Sequence, residues 1–311
     1  MGLGRTDLAV ELKEDVEEQL LGQGVSVSTK QYDNTGITET VIRVENEMGS
    51  KTLGKAIGTY ITIESNEMEC MDTSYHVPMM EILQQHLRES LKGYRHVLFV
   101  GLGNRMVTPD ALGPLVVDNL CITRHLIMEK LLDANYMYSS LAPGVMAQTG
   151  METSSLLKGV VEAEKPDVIV AIDALAARNV NRLNKTIQLS DTGISPGSGV
   201  GNHRAAINQE SLGVPVIAIG VPTVISVPAI VDEAMDSILN QLGKTGMKEA
   251  LSSFSDKERY DLAKEMLTPE LAEMFVTPKN VDDAVKRISY TISEAFNQLL
   301  GLDDEILAYI H

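Results

Sequence analysis

The sequence predicts an α/β fold of three layers, a mostly parallel sheet flanked by helices. Three observations carry this. The short apolar runs His96–Val100, Val168–Ile172 and Val214–Val221 end at glycine, aspartate or proline, as strands buried on both faces do. Amphipathic helical patterns alternate with them, which implies right-handed crossovers between parallel strands. A length of 311 residues with 44% hydrophobic side chains supplies enough apolar surface for a large core.

The elements follow in order. Residues 1–93 are mixed and polar, and their β-branched stretches Thr38–Glu45 and Tyr60–Glu64 predict strands. Met79–Leu91 predicts an amphipathic helix leading into the core. His96–Val100 is a buried strand that feeds the tight loop Gly101-Leu102-Gly103-Asn104. Leu115–Met128 carries apolar residues at helical spacing, with Pro114 suited to the first turn. Ser155–Ala163 is a second helix, with Leu156, Leu157, Val160 and Val161 on one face and Pro166 as its stop. Val168–Ile172 is a second buried strand ending on Asp173. Val214–Val221 is a third, ending at Pro222. The charged stretch 242–277 predicts a helical excursion from the core. Val281–Leu300 closes the chain as a helix, with Ala284, Ile288, Ile292, Ala295 and Leu299 near helical spacing.

Composition excludes several functions. The net charge is −17 and no basic stripe interrupts it, so no direct nucleic-acid partner is expected. The two cysteines, Cys70 and Cys121, form neither a zinc motif nor a disulfide framework, which suits a reducing cytoplasm. No apolar run reaches the length of a membrane span. The first residues lack the apolar core of a signal peptide.

The chemistry points to two aspartates. Asp110 lies in a loop after one strand and before a helix, and Asp173 stands at the end of another strand. Ligands of open α/β sheets bind at such strand ends. Two close carboxylates do not both ionise cheaply, so one keeps a proton while the other takes a proton from water. The bland alternatives are a helix cap for Asp110 and a backbone contact for Asp173.

Other motifs carry less. Gly101-Leu102-Gly103 lacks the third glycine of a dinucleotide fingerprint, and no P-loop is present, so no cofactor is expected. Asp191-Thr192-Gly193 copies a pepsin-like triplet without the second copy, and Asp191 is read as structural. The histidines show no zinc-binding spacing, and no metal site is expected. Gly197-Ser198-Gly199 has the wrong spacing for a serine nucleophile elbow. Gly197, Ser198, Gly199 and Asn202 are assigned to shaping a substrate groove, with anion binding as the alternative.

Longer runs then carry a family resemblance. Val100-Gly101-Leu102-Gly103-Asn104, Thr108-Pro109-Asp110-Ala111-Leu112-Gly113-Pro114 and Thr123-Arg124-His125-Leu126 resemble the germination protease family of spore-forming bacteria. So do Pro143-Gly144-Val145-Met146, Ala171-Ile172-Asp173-Ala174-Leu175-Ala176-Ala177-Arg178 and Pro196-Gly197-Ser198-Gly199-Val200-Gly201-Asn202. Ile217-Ala218-Ile219-Gly220-Val221-Pro222-Thr223 and Val276-Thr277-Pro278-Lys279 extend the likeness over nearly the whole chain. The region after Leu242 looks shorter than in longer members.

The resemblance implies an atypical aspartic endopeptidase whose catalytic pair falls on Asp110 and Asp173. It implies a fold similar to the hydrogenase maturation peptidases, small acid-soluble spore proteins as substrate, a homotetramer, and a place in the spore core. It also implies a zymogen that trims itself. Thr6-Asp7-Leu8-Ala9-Val10-Glu11 resembles the family's cleavage sites, so residues 1–7 are expected to be a propeptide cut between Asp7 and Leu8. Residues 8–311 would then form a single peptidase domain. A helix start capped by Thr6 or Asp7 is the alternative for that segment. Two rival functions stay open: a metal-sensing peptidase like those of hydrogenase maturation, and a non-enzymatic module binding an anion or nucleotide.

Overall fold

The computed structural model describes residues 6–14, 16, 23–69, 74–201, 204–241 and 256–310. Its strands are β1 (Val25–Tyr32), β2 (Ile37–Val44), β3 (Gly58–Ser65), β4 (His96–Gly101), β5 (Met137–Leu141), β6 (Val168–Ala177), β7 (Thr186–Ser190), β8 (Val216–Ser226) and β9 (Phe275–Val276). They form one sheet in the order β1-β2-β3-β7-β8-β6-β4-β5, with β9 paired to β8.

The sheet has two parts. β5, β4, β6 and β8 run parallel to one another. They contain the three apolar runs predicted as buried strands. β1, β2, β3 and β7 form an antiparallel wing that joins through β7 to β8. β1 at the wing's edge is polar and largely exposed, since an antiparallel sheet tolerates water on one face, whereas β7 between β3 and β8 is buried throughout.

Helices cover both faces of the parallel part. His76–Ser90, Leu112–Asp118 and Val281–Asn297 pack on one, around Phe99, Val170, Ile172 and Ile219. Thr153–Glu164 packs on the other through Leu157, against Leu98, Val100, Ile169 and Ala171. A further cluster fills the wing, where Leu8, Ala9, Val10 and Leu12 pack against Ile42, Tyr60, Leu175 and Ala177. The first described residues of the chain are therefore part of the core.

Three elements depart from expectation. The helix expected over Leu115–Met128 is two, Leu112–Asp118 and Arg124–Met128. The side chain of Asn297 accepts from the Cys121 amide at 2.9 Å and donates to the Asn119 carbonyl at 3.0 Å. These bonds hold the intervening backbone in a non-helical path that periodicity does not reveal. Secondly, β6 does not stop at Asp173 but runs on to Ala177. Thirdly, β8 begins at Val216 and passes through Pro222 to Ser226. The missing amide of Pro222 is tolerated there because the β6–β8 register shifts just beyond, between Leu175 and Ala176.

Of the expected excursion over 242–277, the helices Asp256–Glu265 and Pro269–Ala272 and the strand β9 are seen. Residues 242–255 lie outside the described residues, as do Cys70, Asn202 and His203.

Candidate active site

β4 and β6 lie side by side and parallel, with Gly101 opposite Ile172. The loop after β4 folds back over β6 and is tied down at several points. The Leu102 amide donates to the Ile172 carbonyl at 2.8 Å. Thr223 Oγ1 donates to the Pro109 carbonyl at 2.6 Å. Gly113 fits under the loop only because it lacks a side chain, since a Cβ there would stand 2.4 Å from the Ile172 carbonyl. The result is that Asp110 stands beside Asp173, the next residue of β6.

Asp110 is half-buried, and its Oδ2 accepts from the Asn104 amide at 2.8 Å. Burial raises its pKa above the ordinary aspartate value, while that bond and the charge of Arg204 pull it back. Asp173 is 4% exposed, and its Oδ1 accepts from its neighbour's amide, Ala174, at 3.0 Å. Its pKa is raised well above the ordinary value, first by burial, then by the charge of Asp110 and then by that of Asp7. Arg204 offsets this in part. Both shifts disfavour ionisation, more strongly at Asp173, as expected of two close carboxylates that keep one proton between them.

Side chains alternate along a strand. Asp173 therefore shares its face of β6 with Ile169 and Ala171, which belong to the cluster under Thr153–Glu164, and with Leu175 and Ala177, which belong to the wing cluster. It lies at the seam between the two. The N-terminal segment occupies the wing side of that seam.

That segment is held against β6 by one backbone bond and by its side chains. β4 stops pairing at Ile172, so residues 173–177 of β6 pair with β8 alone. Asp7 fills the vacant edge. Its amide donates to the Ala176 carbonyl at 3.1 Å. Its Oδ2 accepts from the Ala176 amide at 3.0 Å and its Oδ1 from Ser198 Oγ at 2.6 Å. Its carbonyl oxygen accepts from Lys55 Nζ at 2.8 Å and from Gln188 Nε2 at 3.3 Å. Gln188 Oε1 in turn accepts from the Ala9 amide at 2.7 Å. Leu8 and Ala9 are fully buried.

Four residues beyond Asp7, Glu11 is also fully buried. Its carboxylate accepts from the amides of Arg178 and Asn179 at 2.8 and 2.9 Å and from the Thr6 hydroxyl, and Arg182 lies 3.6 Å away. A short helix, Ala9–Glu14, begins within this stretch. Neither Thr6 nor Asp7 caps this helix: the Asp7 carboxylate is taken by Ala176 and Ser198, and the Thr6 hydroxyl donates to Glu11 and accepts from the Leu8 amide.

A cavity of about 400 Å³ opens beside the docked segment, lined among others by Asp7, Lys55, Tyr60, Gln188, Ser198 and Gly220. The carboxylates of Asp110 and Asp173 do not line it; Gly220, the β8 partner of Asp173, does.

Of the loop residues assigned to a groove, Ser198 and Gly199 lie against Asp7. Ser198 contacts its carboxylate as described, and Gly197 has a left-handed backbone, φ 72°. Asp191 holds the start of β3 through its Oδ1, which accepts from the Thr59 amide at 2.7 Å. Among the described residues no group of three or more His, Cys, Asp or Glu could hold a metal ion. No helix among them is long and apolar enough to cross a membrane.

Lys55, Gln188, Arg178 and Arg182 escape the sequence reading. Lys55, Gln188 and Arg182 are lone polar residues outside any quoted motif, Arg178 ends one without a role assigned to it, and the packing of the segment against the wing brings them to it.

Comparison with known proteins completes the description. The family model described as germination protease matches residues 4–253. The germination protease of Clostridium tetani is 43% identical over 303 residues, covering 94% of each chain. That of Caldanaerobacter subterraneus is 44% identical over 306 residues, covering 95% of this chain and 94% of the other. The crystal structure of the NiFe hydrogenase maturation protease HycI from Thermococcus kodakarensis superposes with a TM-score of 0.35 and 16% identity, covering 68% of this chain and 97% of that one.

Proposed function

Since this chain belongs to the germination protease family, we propose that its action as a spore-germination endopeptidase runs through water activated by Asp110 and Asp173. The observation that carries the mechanism is the split between the two acids. Asp173 is buried and crowded by two negative neighbours, so it keeps its proton. Burial raises Asp110 too, but its amide bond from Asn104 and the charge of Arg204 pull it back, so on this reading it is the member that gives up its proton first. An ionised carboxylate beside a protonated one supplies a base for water and an acid for the departing amine at the same time.

The same reading makes the chain a zymogen that cuts between Asp7 and Leu8. Asp7 lies near enough to Asp173 to raise its pKa, and the backbone on both sides of the Asp7 carbonyl is fixed. A tethered segment also has a high effective concentration. Extended pairing along β6, a seated acid at Asp7, an enclosed apolar residue and alanine, and a second seated acid at Glu11 describe the peptide the groove accepts. Small acid-soluble spore proteins, cut in the spore core by a homotetramer, are the proposed substrate, setting and assembly.

The test is incubation of the full chain at mildly acidic pH, followed by N-terminal sequencing and then by addition of a small acid-soluble spore protein with mass mapping of the fragments. The expected new terminus reads Leu8-Ala9-Val10-Glu11, and the Asp110→Asn chain should not generate it. Trimming by that variant with contaminating proteases excluded would overturn the reading. Light scattering on the purified protein checks the tetramer, and a stable monomer would overturn that assignment.

A further inference from the structure

We infer that Lys55, assisted by Gln188, is the carbonyl-polarising group of this peptidase: its ammonium holds the carbonyl oxygen of the residue before the cut and stabilises the negative charge that develops there. The inference rests on the reading of Asp7–Leu8 as the bond to be cleaved.

The geometry is specific. Lys55 Nζ donates to the Asp7 carbonyl oxygen at 2.8 Å, and Gln188 Nε2 approaches the same oxygen at 3.3 Å. Gln188 turns its other end to the Ala9 amide at 2.7 Å, so one carboxamide grips the chain on both sides of the Asp7–Leu8 bond. Asp7 itself is fixed at its amide and at both carboxylate oxygens. The carbonyl oxygen therefore has no freedom to turn away from Lys55.

The surroundings suit the role. Lys55 is half-buried as a residue, and burial is felt at its charged end, where it lowers the pKa while the nearby Asp7 charge raises it. A lysine whose ammonium meets a neutral carbonyl while a carboxylate is close by is not placed merely to form an ion pair. A charged donor already aimed at the oxygen stabilises a developing oxyanion without reorganising at the moment of reaction.

The step balances without a further reactant. A water oxygen forms a bond to the Asp7 carbonyl carbon and gives a proton to Asp110. The π pair of the carbonyl moves onto its oxygen, where Lys55 and Gln188 hold the charge. On collapse that pair reforms the double bond and the C–N pair leaves on the Leu8 nitrogen, which takes the proton of Asp173. Proton transfer from Asp110 to Asp173 restores the pair.

The experiment follows the first-order self-cleavage of full-length chains, with amide hydrogen exchange at Asp7 and Ala9 to report docking. Lys55→Met is expected to slow cleavage by about 10²–10³-fold, the usual cost of losing one such donor, with docking protection retained. A Lys55→Cys chain should be equally slow and should recover most of its rate after alkylation with bromoethylamine, which rebuilds the ammonium, but not with iodoacetamide. A Lys55→Met chain that cuts at the wild-type rate overturns the inference. So does a loss of rate matched by a proportional loss of protection, which would make Lys55 an anchor only. An Asp173→Asn chain that still cuts would sink the aspartate mechanism and leave the Lys55 comparison standing. Should the wild-type chain not cut itself, kcat and KM on a peptide copying residues 4–14 replace the first-order rate. Protein that cuts neither overturns both ideas.

Discussion

Gly199 and Asp7 are packed so closely that a Cβ on the glycine would stand 2.2 Å from Asp7 Oδ2. The same atom would meet the Ala176 side chain at 2.7 Å. Gly199 is needed here for close approach and not for its backbone angles. Gly199→Ala is expected to dislodge Asp7, raise amide exchange at Asp7 and Ala9, and slow self-trimming at least tenfold. Overpacking of this kind costs about 1–3 kcal/mol. Unchanged exchange in the variant would show that the glycine is not what admits the carboxylate.

Asp110→Asn and Asp173→Asn should each lower peptide cleavage by several orders of magnitude, because asparagine keeps the shape and removes the titrating group. The check is kcat/KM on a fixed peptide with folding confirmed by circular dichroism. Near-normal turnover by either folded variant removes that residue from the mechanism.

The same Asp173→Asn change should stabilise the fold at neutral pH. The folded pKa of Asp173 is raised well above the unfolded value. Its contribution is therefore most favourable below the unfolded pKa and is lost as pH climbs through the window up to the folded pKa, where the native state binds the extra proton. Asparagine escapes that loss and keeps the acceptor for the Ala174 amide. Each unit of elevation corresponds to about 1.4 kcal/mol, so thermal melting at pH 7 should shift upward by several degrees, and by less at pH 4. Equal melting temperatures for wild type and variant at both pH values would contradict the buried, protonated assignment.

Asp7 also bears on the pH profile. Asp173 faces Asp110, Asp7 and Arg204, and removing a negative neighbour lowers an acid's pKa. For two peptides differing only by Asp or Asn before the cut, the descending limb of kcat should lie at lower pH with the Asn peptide. Superimposed limbs would place the guest's carboxylate too far from Asp173 to matter.

Arg182 joins three acids: its side chain lies 2.7 Å from Glu14, 2.9 Å from Glu64 and 3.6 Å from Glu11. Those carboxylates hold its pKa above the ordinary arginine value. Arg182→Met removes one cation from beside the buried Glu11, which keeps its amide donors and the Arg178 guanidinium at its carbonyl oxygen, so the helix Ala9–Glu14 should loosen at a cost of about 1–3 kcal/mol. Limited proteolysis of the N-terminal segment reads this directly, and wild-type resistance would contradict it.

The parallel heart of the fold was legible because β4, β6 and β8 are buried on both faces and read as unbroken apolar runs. The continuation of β6 was not. Ala174-Leu175-Ala176-Ala177 has no β-branched residue, and only pairing with β8 and with Asp7 keeps it extended. β7 is five residues with polar Thr186, Gln188 and Ser190, all buried between β3 and β8 where their polarity gives no hint of burial. Asp110 and Asp173 were visible from their strand-end positions. Lys55 was not, because a single lysine after Gly54 has no pattern around it and acquires its neighbour from a segment 48 positions away.

The unpaired edge of β6 has a bearing on which proteins are safe in the same compartment. If substrates dock as proposed, a guest that replaces Asp7 offers one free amide to the Ala176 carbonyl, and no residue inside an intact helix has that amide to give. Selection then falls on conformation before sequence. A folded neighbour carrying a matching string of side chains is cut only in proportion to the time it spends open, so an opening free energy of about 4 kcal/mol shields it roughly a thousandfold. A chain with no stable structure of its own has no such shelter, and the depth of one strand's overhang separates the two.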